Sequence, residues 1–467
     1  MEGLCLDSAA QPLRLYIHTF GCQMNVYDSL RVQRLLAQDG YTLTSSAADA
    51  DVIFINTCSV REKAEQKVYS LLGRLRRLKY RTPSLVIVVG GCVAQQLGTS
   101  LLERFPYVDV VLGTRALGSL PDILRSVRVG GSRVAHVPNE DEEGWRELFG
   151  QTEAWATDVV APVTVMQGCD NFCTYCIVPY VRGRERSRPV REILREVQIL
   201  VEKGAREVLL LGQNVNSYGK GLHEKTRFSD LLRLIAQETD ALRIRFTTSH
   251  PKDLTEDLIQ CFVDVRKLCP HIHLPFQAGS DRILEKMNRG YKRQDYLRKV
   301  ELLRAACPEI AISADVMVGF PGETRQDFED TLELIRTVQF DSLFSFRYSD
   351  RPLTAARLFP DKISEEEKAY RLTQLQALQA AITLKKNSQE VGRTREVLVE
   401  STSKAGQGEM SGRTPQNRIV NFPGPETLKG CIIPVRIIEA YAHSLKGGPA
   451  CSLQEDNGET SLNFGKL

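Results

Sequence analysis

The chain has 467 residues, 42% of them hydrophobic and 25% charged, the usage of a soluble globular protein long enough for about three domains. Disordered, collagen-like and fibrous chains are excluded, and no apolar run approaches the roughly 18 residues that a membrane helix needs. Sixty-one basic against 58 acidic side chains leave a net charge of +3, too little to demand a polyanionic partner, although local clusters can still bind one.

The first dozen residues carry Glu2 and Asp7 and lack the basic start and apolar stretch of a secretory signal. A cytoplasmic location without membrane attachment is therefore expected. In a reducing compartment the 12 cysteines read as metal ligands or catalytic thiols rather than disulfides.

Three apolar runs near the N-terminus each end in a loop with one cysteine. Residues 15–19 precede Gly21-Cys22, residues 52–55 precede Asn56-Thr57-Cys58, and residues 85–89 precede Gly90-Gly91-Cys92. Helical patterns at 27–39 and 61–79 separate them, so the spacing predicts parallel βαβ units over 12–138. The C-terminal strand ends of such a sheet share one edge, where three thiols could converge.

An acidic stretch around 140–143 suits a solvated linker, placed at 139–154. Strand-like runs then recur at 159–166, 207–211, 242–248, 272–276, 311–318 and 342–348, with helical patterns between them. Six βα units predict a partial, parallel (βα)6 barrel over 155–388. Its closing helix is opened by Ser364-Glu365-Glu366-Glu367, which has the form of a capping box, and carries Leu372, Leu375, Leu378 and Ile382 at helical spacing. Short β-like runs at 396–399, 418–421 and 432–438 predict a small all-β barrel over 389–452, followed by a flexible tail at 453–467. The fold class is thus α/β with a C-terminal β-barrel.

Cys169-Asp170-Asn171-Phe172-Cys173-Thr174-Tyr175-Cys176 follows the first barrel strand and places three thiols within eight residues. Three such cysteines can hold three irons of a 4Fe-4S cluster and leave the fourth open. Tetrahedral structural zinc, the alternative, normally takes four protein ligands, and no fourth Cys or His follows within twenty residues.

This C-x3-C-x2-C motif resembles that of the radical S-adenosylmethionine enzymes. The resemblance implies that the open iron binds the amino and carboxylate groups of S-adenosylmethionine. It also implies that an electron from the cluster cleaves the sulfonium to a 5'-deoxyadenosyl radical, with Tyr175 near the adenine. Gly21-Cys22-Gln23-Met24-Asn25, Asn56-Thr57-Cys58-Ser59-Val60-Arg61-Glu62-Lys63 and Gly90-Gly91-Cys92 narrow it to the methylthiotransferases, over residues 14 to about 445. That family implies a second, auxiliary 4Fe-4S cluster on Cys22, Cys58 and Cys92, whose open iron carries the sulfur to be inserted.

Ser59-Val60-Arg61-Glu62-Lys63-Ala64, with Ser345 to Pro352, looks like the MiaB-type branch, which methylthiolates C2 of N6-isopentenyladenosine at tRNA position 37. The other branches act on threonylcarbamoyladenosine or a ribosomal protein. A zinc-stabilised, non-catalytic RNA-binding protein is the reading from another class. The resemblance implies the anticodon stem-loop of tRNA as a partner; an electron donor such as a flavodoxin or ferredoxin system and a monomeric chain are expected with it. The resemblance also implies two S-adenosylmethionine molecules per product, one giving the methyl and one the radical.

Other candidate residues stand at strand ends, where barrel active sites are built. Gln213 follows the second barrel strand where many relatives of the larger superfamily have Gly-Gly-Glu. Ser249 lies in Thr247-Thr248-Ser249-His250-Pro251, and Gln277 in His273-Leu274-Pro275-Phe276-Gln277; each is a cofactor contact or a loop cap. Gly319 and Gly322 permit close backbone approach, and Thr324 with Asp327 can cap the next helix. The segment lacks the lysine and hydroxyl residue of a phosphate-binding P-loop.

RNA binding requires phosphate neutralisation, for which Arg182, Arg184, Arg186 and Arg188 are candidates. The C-terminal barrel resembles the TRAM module, with Arg413, Arg418 and Phe422 as RNA contacts. Cys5, Cys261, Cys269, Cys307, Cys431 and Cys451 match no motif and read as incidental thiols. His250, His271 and His273 read as structural.

Overall fold

The structure, a computed structural model, describes residues 12–59, 62–139, 157–404, 406 and 408–449. Val60, Arg61, Cys5, Cys451, the tail and all of the expected linker except Asn139 lie outside these residues.

The N-terminal domain is a parallel sheet of β1 (Leu13–Thr19), β2 (Tyr41–Leu43), β3 (Val52–Thr57), β4 (Val86–Gly91), β5 (Val110–Leu112) and β6 (Val134–His136), ordered β2-β1-β3-β4-β5-β6. Alternate residues enter separate cores on its two faces. Ile53, Ile55, Ile87 and Val89 pack under helix Glu62–Arg81, and Val52, Phe54, Val86 and Val88 under helix Gln23–Gln38. Burial on both faces explains the unbroken apolar runs of β3 and β4. The strand order reverses between β1 and β3, the topological switch point where open α/β sheets bind ligands. The three cysteine-bearing loops follow β1, β3 and β4, which are adjacent strands at that point.

The central domain carries β7 (Val160–Thr164), β8 (Met166–Gln167), β9 (Arg186–Ser187), β10 (Glu207–Leu211), β11 (Arg243–Phe246), β12 (His271–His273), β13 (Ala311–Val318) and β14 (Ser342–Arg347). Two parallel three-stranded sheets, β7-β10-β11 and β12-β13-β14, meet where Ile244 N donates to Lys267 O at 2.7 Å and Cys269 N to Ile244 O at 2.9 Å. The outward set includes Ile244, Phe246, Ile312, Ala314 and Val316, which join the core under the helices. Polar side chains meet on the other face: Arg245 pairs with Glu207 at 2.7 Å, and His271 and His273 share hydrogen bonds with Ser313 Oγ at 3.1 and 3.0 Å. The short antiparallel pair β8-β9 brackets the loop that holds Cys169, Cys173 and Cys176.

Helix Glu365–Ser388 closes this domain, and Ser364 Oγ accepts from Glu367 N as its cap. The C-terminal closed barrel is β15 (Thr394–Thr402), β16 (Glu409–Arg413), β17 (Ile419–Pro423), β18 (Ile432–Ala440) and β19 (Leu445–Pro449). It seals the N-terminal end of the central strands: Arg243 Nη1 donates to Arg413 O at 2.9 Å and Arg245 Nη1 to Pro415 O at 3.0 Å. The C-terminal edge is left for chemistry. Among the described residues no helix is long and apolar enough to cross a membrane.

Candidate active site

Around the first triad the loops are stapled by Asn25, which is fully buried. Its Nδ2 donates to Phe20 O at 2.9 Å and Thr57 O at 2.8 Å, while its Oδ1 accepts from the Cys22 thiol at 3.6 Å. Asn56 Nδ2 answers by donating to Asn25 O at 2.8 Å, and Thr57 Oγ1 accepts from Val93 N at 3.1 Å behind Cys92. These bonds tie three strand ends together, so Asn25 and Asn56, the asparagines of the first two motifs, are structural glue beside the cysteines. Cys58 and Cys92 are 1% and 2% exposed, whereas Cys22 is open at the rim.

Backbone room matters here. Gly21 has φ +112°, and a Cβ there would lie 2.4 Å from Cys58 Cβ and 2.8 Å from its sulfur. Gly21→Ala is therefore expected to displace Cys58. Iron analysis of the anaerobically reconstituted variant should read a loss confined to the N-terminal triad, and full iron content would refute the steric argument.

The second triad is held from the far side of the barrel. Cys169 N donates to Gly183 O at 3.1 Å, Thr174 N to Met287 O at 3.1 Å, and Asn288 Nδ2 to Asn171 O and Phe172 O at 3.2 Å each. Arg289, 4% exposed, points Nη1 at Cys173 Sγ (3.5 Å) and Tyr175 Oη (3.4 Å) and donates through Nη2 to Pro275 O at 2.8 Å. It places a fixed positive charge beside the thiols, and no motif announced it. Tyr175 packs against the cluster of Ile283, Phe320 and Tyr348.

The thiols differ in acidity. A hydrogen bond with Cys58 outweighs desolvation at Cys22 and, aided by Arg182, brings it down to about 6. Burial pushes Cys92 up. Burial also pushes Cys169 up to about 11, and burial followed by the neighbouring Cys173 pushes Cys176 up to about 12. Such thiols release their protons only when a metal replaces them. Among the described residues no three His, Cys, Asp or Glu side chains are gathered to hold one metal ion. A 4Fe-4S cube distributes its thiolates over separate irons, and two soft-donor triads, the thiols of each acting on one another, fit that demand.

The triads meet across one short helix, Val178–Arg182. Cys92 shares an apolar cluster with Ile177, the residue after Cys176, and with Val181. Deeper in the same boundary Glu196 accepts from Arg34 Nη1 at 2.7 Å, from Tyr27 Oη at 3.1 Å and from Arg188 Nη1. Burial alone would raise its carboxyl, but Arg188 and Arg34 hold it below the ordinary value.

These contacts correct part of the expected RNA surface. Arg182 and Arg188 are each 4% exposed and bound into the domain boundary, so neither can reach a phosphate. Phe422 is 1% exposed in the core of the C-terminal barrel and cannot stack on a base. Arg418 is pinned to Asp341 of the central domain at 2.8 Å, which makes it a docking residue. Arg413 pairs with Glu400 at 3.2 Å and remains partly accessible. Arg184 is in solvent, its side chain 74% exposed, 3.0 Å from Asp170 and over the ring of Phe172. Arg186 lines a cleft of about 330 Å³ with Arg115, Gln167 and Pro179.

At the barrel mouth Gln213 Oε1 accepts from Gly168 N at 2.5 Å and so anchors the start of the cysteine loop. Among the described residues, Ser249 Oγ and both side-chain polar atoms of Asn216 are buried without hydrogen-bond partners. His250 Nδ1 accepts from Lys252 N, leaving Nε2 buried and unpaired; burial, then Arg289, lowers its pKa to about 2 and keeps the ring neutral. Orphaned polar atoms on neighbouring strand ends mark a place where a polar ligand completes the bonding, and Asn216 was missed because it lies outside the recognised motif. Gln277 sits at φ +69° and hydrogen-bonds β13 through its backbone. Gly319, at φ +73°, is approached by the Lys368 side chain, and Gly322, at φ +76°, by Lys286. Thr324 and Asp327 form the reciprocal cap expected of them.

A larger cleft, about 630 Å³, opens between the two α/β domains. Helix Glu62–Arg81 contributes Gln66 and Tyr69, and the loop after β14 contributes Tyr348, Arg351 and Pro352.

Residues 14–113 match the family described as uncharacterized protein family UPF0004, residues 163–335 the Radical SAM superfamily, and residues 388–449 the TRAM domain. The tRNA-2-methylthio-N(6)-dimethylallyladenosine synthase of Syntrophobacter fumaroxidans is 62% identical over 440 residues, 94% of this chain and 96% of its own. The proteins of the same name from Syntrophus aciditrophicus and Geobacter metallireducens are 50% and 53% identical, covering 94% and 93% of this chain and 94% and 97% of their own. Among solved structures, the radical S-adenosylmethionine methyltransferase TsrM of Kitasatospora setae, with tryptophan substrate and an S-adenosylmethionine analogue bound, superposes with TM-score 0.55 at 14% identity. That match covers 74% of this chain and 75% of the other, and it speaks to fold alone.

Proposed function

This chain belongs to the family of tRNA-2-methylthio-N(6)-dimethylallyladenosine synthases, which makes it a radical S-adenosylmethionine methylthiotransferase acting on tRNA, and from that premise we propose how its residues divide the work. The conversion is of N6-isopentenyladenosine, at tRNA position 37, to its 2-methylthio derivative. Cys169, Cys173 and Cys176 hold one 4Fe-4S cluster, and Cys22, Cys58 and Cys92 hold a second. Bound there, the two clusters and S-adenosylmethionine supply the radical that opens the adenine C2–H bond and the methylated sulfur that takes its place.

Everything else falls to side chains of this chain. Arg289 offsets the negative charge of the Cys173 thiolate, Tyr175 lends an apolar wall on the adenine side, and Ser249 and Asn216 offer the polar contacts that a bound amino acid moiety needs. Gln213 fixes the cysteine loop. The cleft between the domains is large enough for a nucleoside, and its helix begins in the Ser59 to Lys63 motif on which the substrate branch was read. Arg184 and Arg186 contact the anticodon stem-loop from beside the cysteine loop, with Arg413 contributing from the TRAM barrel. The carrying observation is that two thiol triads from separate domains adjoin one five-residue helix. A flavodoxin or ferredoxin system delivers the electron to a cytoplasmic monomer.

Mass spectrometry of tRNA nucleosides from cells with and without the gene tests the substrate. The deletion is expected to lose 2-methylthio-isopentenyladenosine and retain isopentenyladenosine; persistence of the methylthio nucleoside without a redundant enzyme would overturn the assignment. Anaerobic analysis should find about eight irons per chain, two clusters of four. Stoichiometric zinc would instead favour a binding module.

A further inference from the structure

The helix between the two triads ends in Arg182, whose side chain is 3% exposed. Its Nη2 donates to Asn25 Oδ1 at 2.9 Å and Asp28 Oδ2 at 2.7 Å, both on the first helix of the other domain. The second terminal nitrogen, Nη1, is buried and makes no conventional hydrogen bond among the described residues. A buried donor left without an acceptor is destabilising, and more so on a charged group. Such an orphan calls for an acceptor, and the Cys92 sulfur is the group of the auxiliary triad within hydrogen-bonding influence of this side chain. After Asp28, the groups that act most strongly on this guanidinium are the thiols of Cys92 and Cys22. Arg182 therefore belongs by sequence to the radical domain and by contact to the auxiliary triad.

We propose that Arg182 is a positioning residue for the auxiliary cluster, its free Nη1 donating a hydrogen bond to a sulfur of the cluster held by Cys22, Cys58 and Cys92. This rests on the reading that those cysteines hold a cluster. Three thiolates bring three negative charges into a boundary where Asp28 already balances one guanidinium. A donor aimed at sulfur lowers the cost of adding an electron there, because hydrogen bonds to cluster sulfurs and net charge set the reduction potential. The arrangement also makes the auxiliary centre sense domain docking, since its hydrogen-bond donor arrives only when the two domains are packed. Arg289 offers a parallel within one domain, with Nη1 at 3.5 Å from Cys173 Sγ.

The test uses the full chain with Cys169, Cys173 and Cys176 replaced by Ala, so that only the auxiliary cluster remains. Reconstituted anaerobically, this protein should carry about four irons; if it carries none, the second-cluster reading itself fails, independently of Arg182. In that background Arg182→Met is expected to shift the midpoint potential downward and alter the electron paramagnetic resonance g-values of the reduced cluster, and Arg182→Lys should recover part of both shifts. A Met variant with full iron and unchanged potential and g-values would overturn the proposal. Should Arg182→Met fail to hold iron, the same substitution in the Cys22→Ala, Cys58→Ala, Cys92→Ala background reports on folding. Retention of the radical cluster there supports a local role for Arg182, and its loss along with the auxiliary one would overturn it.

Discussion

Replacing Cys176 with Ala is expected to abolish both 5'-deoxyadenosine formation and the methylthiolated nucleoside, whereas Cys58→Ala keeps the first and loses the second. The difference follows from where the two sulfurs sit. Cys176 belongs to the loop bracketed by β8 and β9 in the central barrel, and Cys58 to the end of β3 in the other domain. Removing one of three ligands from a cluster already short of a fourth leaves two protein anchors, too few to keep an iron-sulfur centre. The loss stays local because the loop of each triad is held largely by its own domain, through Asn25 and Thr57 in one and Met287 and Asn288 in the other. Liquid chromatography of both products after single turnovers with tRNA would check this. Loss of deoxyadenosine in Cys58→Ala would refute the division of labour.

The second large effect is expected at Glu196, on the helix Val190–Glu202 that follows the cysteine loop. Its carboxylate is 1% exposed and stands between Arg34 of the N-terminal domain and Arg188 of the central one. Glu196→Ala removes the carboxylate that Arg34 and Arg188 share and leaves Arg188 with Glu192 at 3.3 Å; breaking a buried ion pair in this way typically costs about 3–5 kcal/mol. Domain docking should fail before either core melts, read as an early transition in differential scanning calorimetry. Superimposable unfolding curves for variant and wild type would refute it.

The same residue gives a pH signature. Since its folded pKa lies below the ordinary 4.5, its stabilising contribution is complete above that value and is lost as the pH falls through the folded pKa. Wild type should therefore lose stability faster than Glu196→Ala as acid is added below about pH 4.5.

Much of this was legible without coordinates. The six central strands were announced by runs of apolar residues between helical periods, and β10 and β13 begin and end where those runs do. Strands of three residues, such as β2, β5 and β6, are too short to carry a period. The strand β19 was hidden by Gly447, Gly448 and Pro449, which ordinarily mark a turn. The arginines misled for a different reason. A run of basic side chains looks the same whether it is solvated or neutralised by acids from elsewhere in the chain. Asp28 lies 154 residues before Arg182, and Arg34 lies 162 residues before Glu196.

By itself the sequence determined the order of three domains, the class of each and the two sets of three thiols, because strand and helix periods and ligand spacings are local quantities. Only the tertiary structure decided that β1, β3 and β4 are neighbours, so that Cys22, Cys58 and Cys92 share one edge. It also decided that Arg182 and Arg188 are interior charges and that Phe422 is core. Strand order, burial and charge pairing depend on which distant segments pack together, and that is settled by exclusion of water from surfaces far apart in the chain.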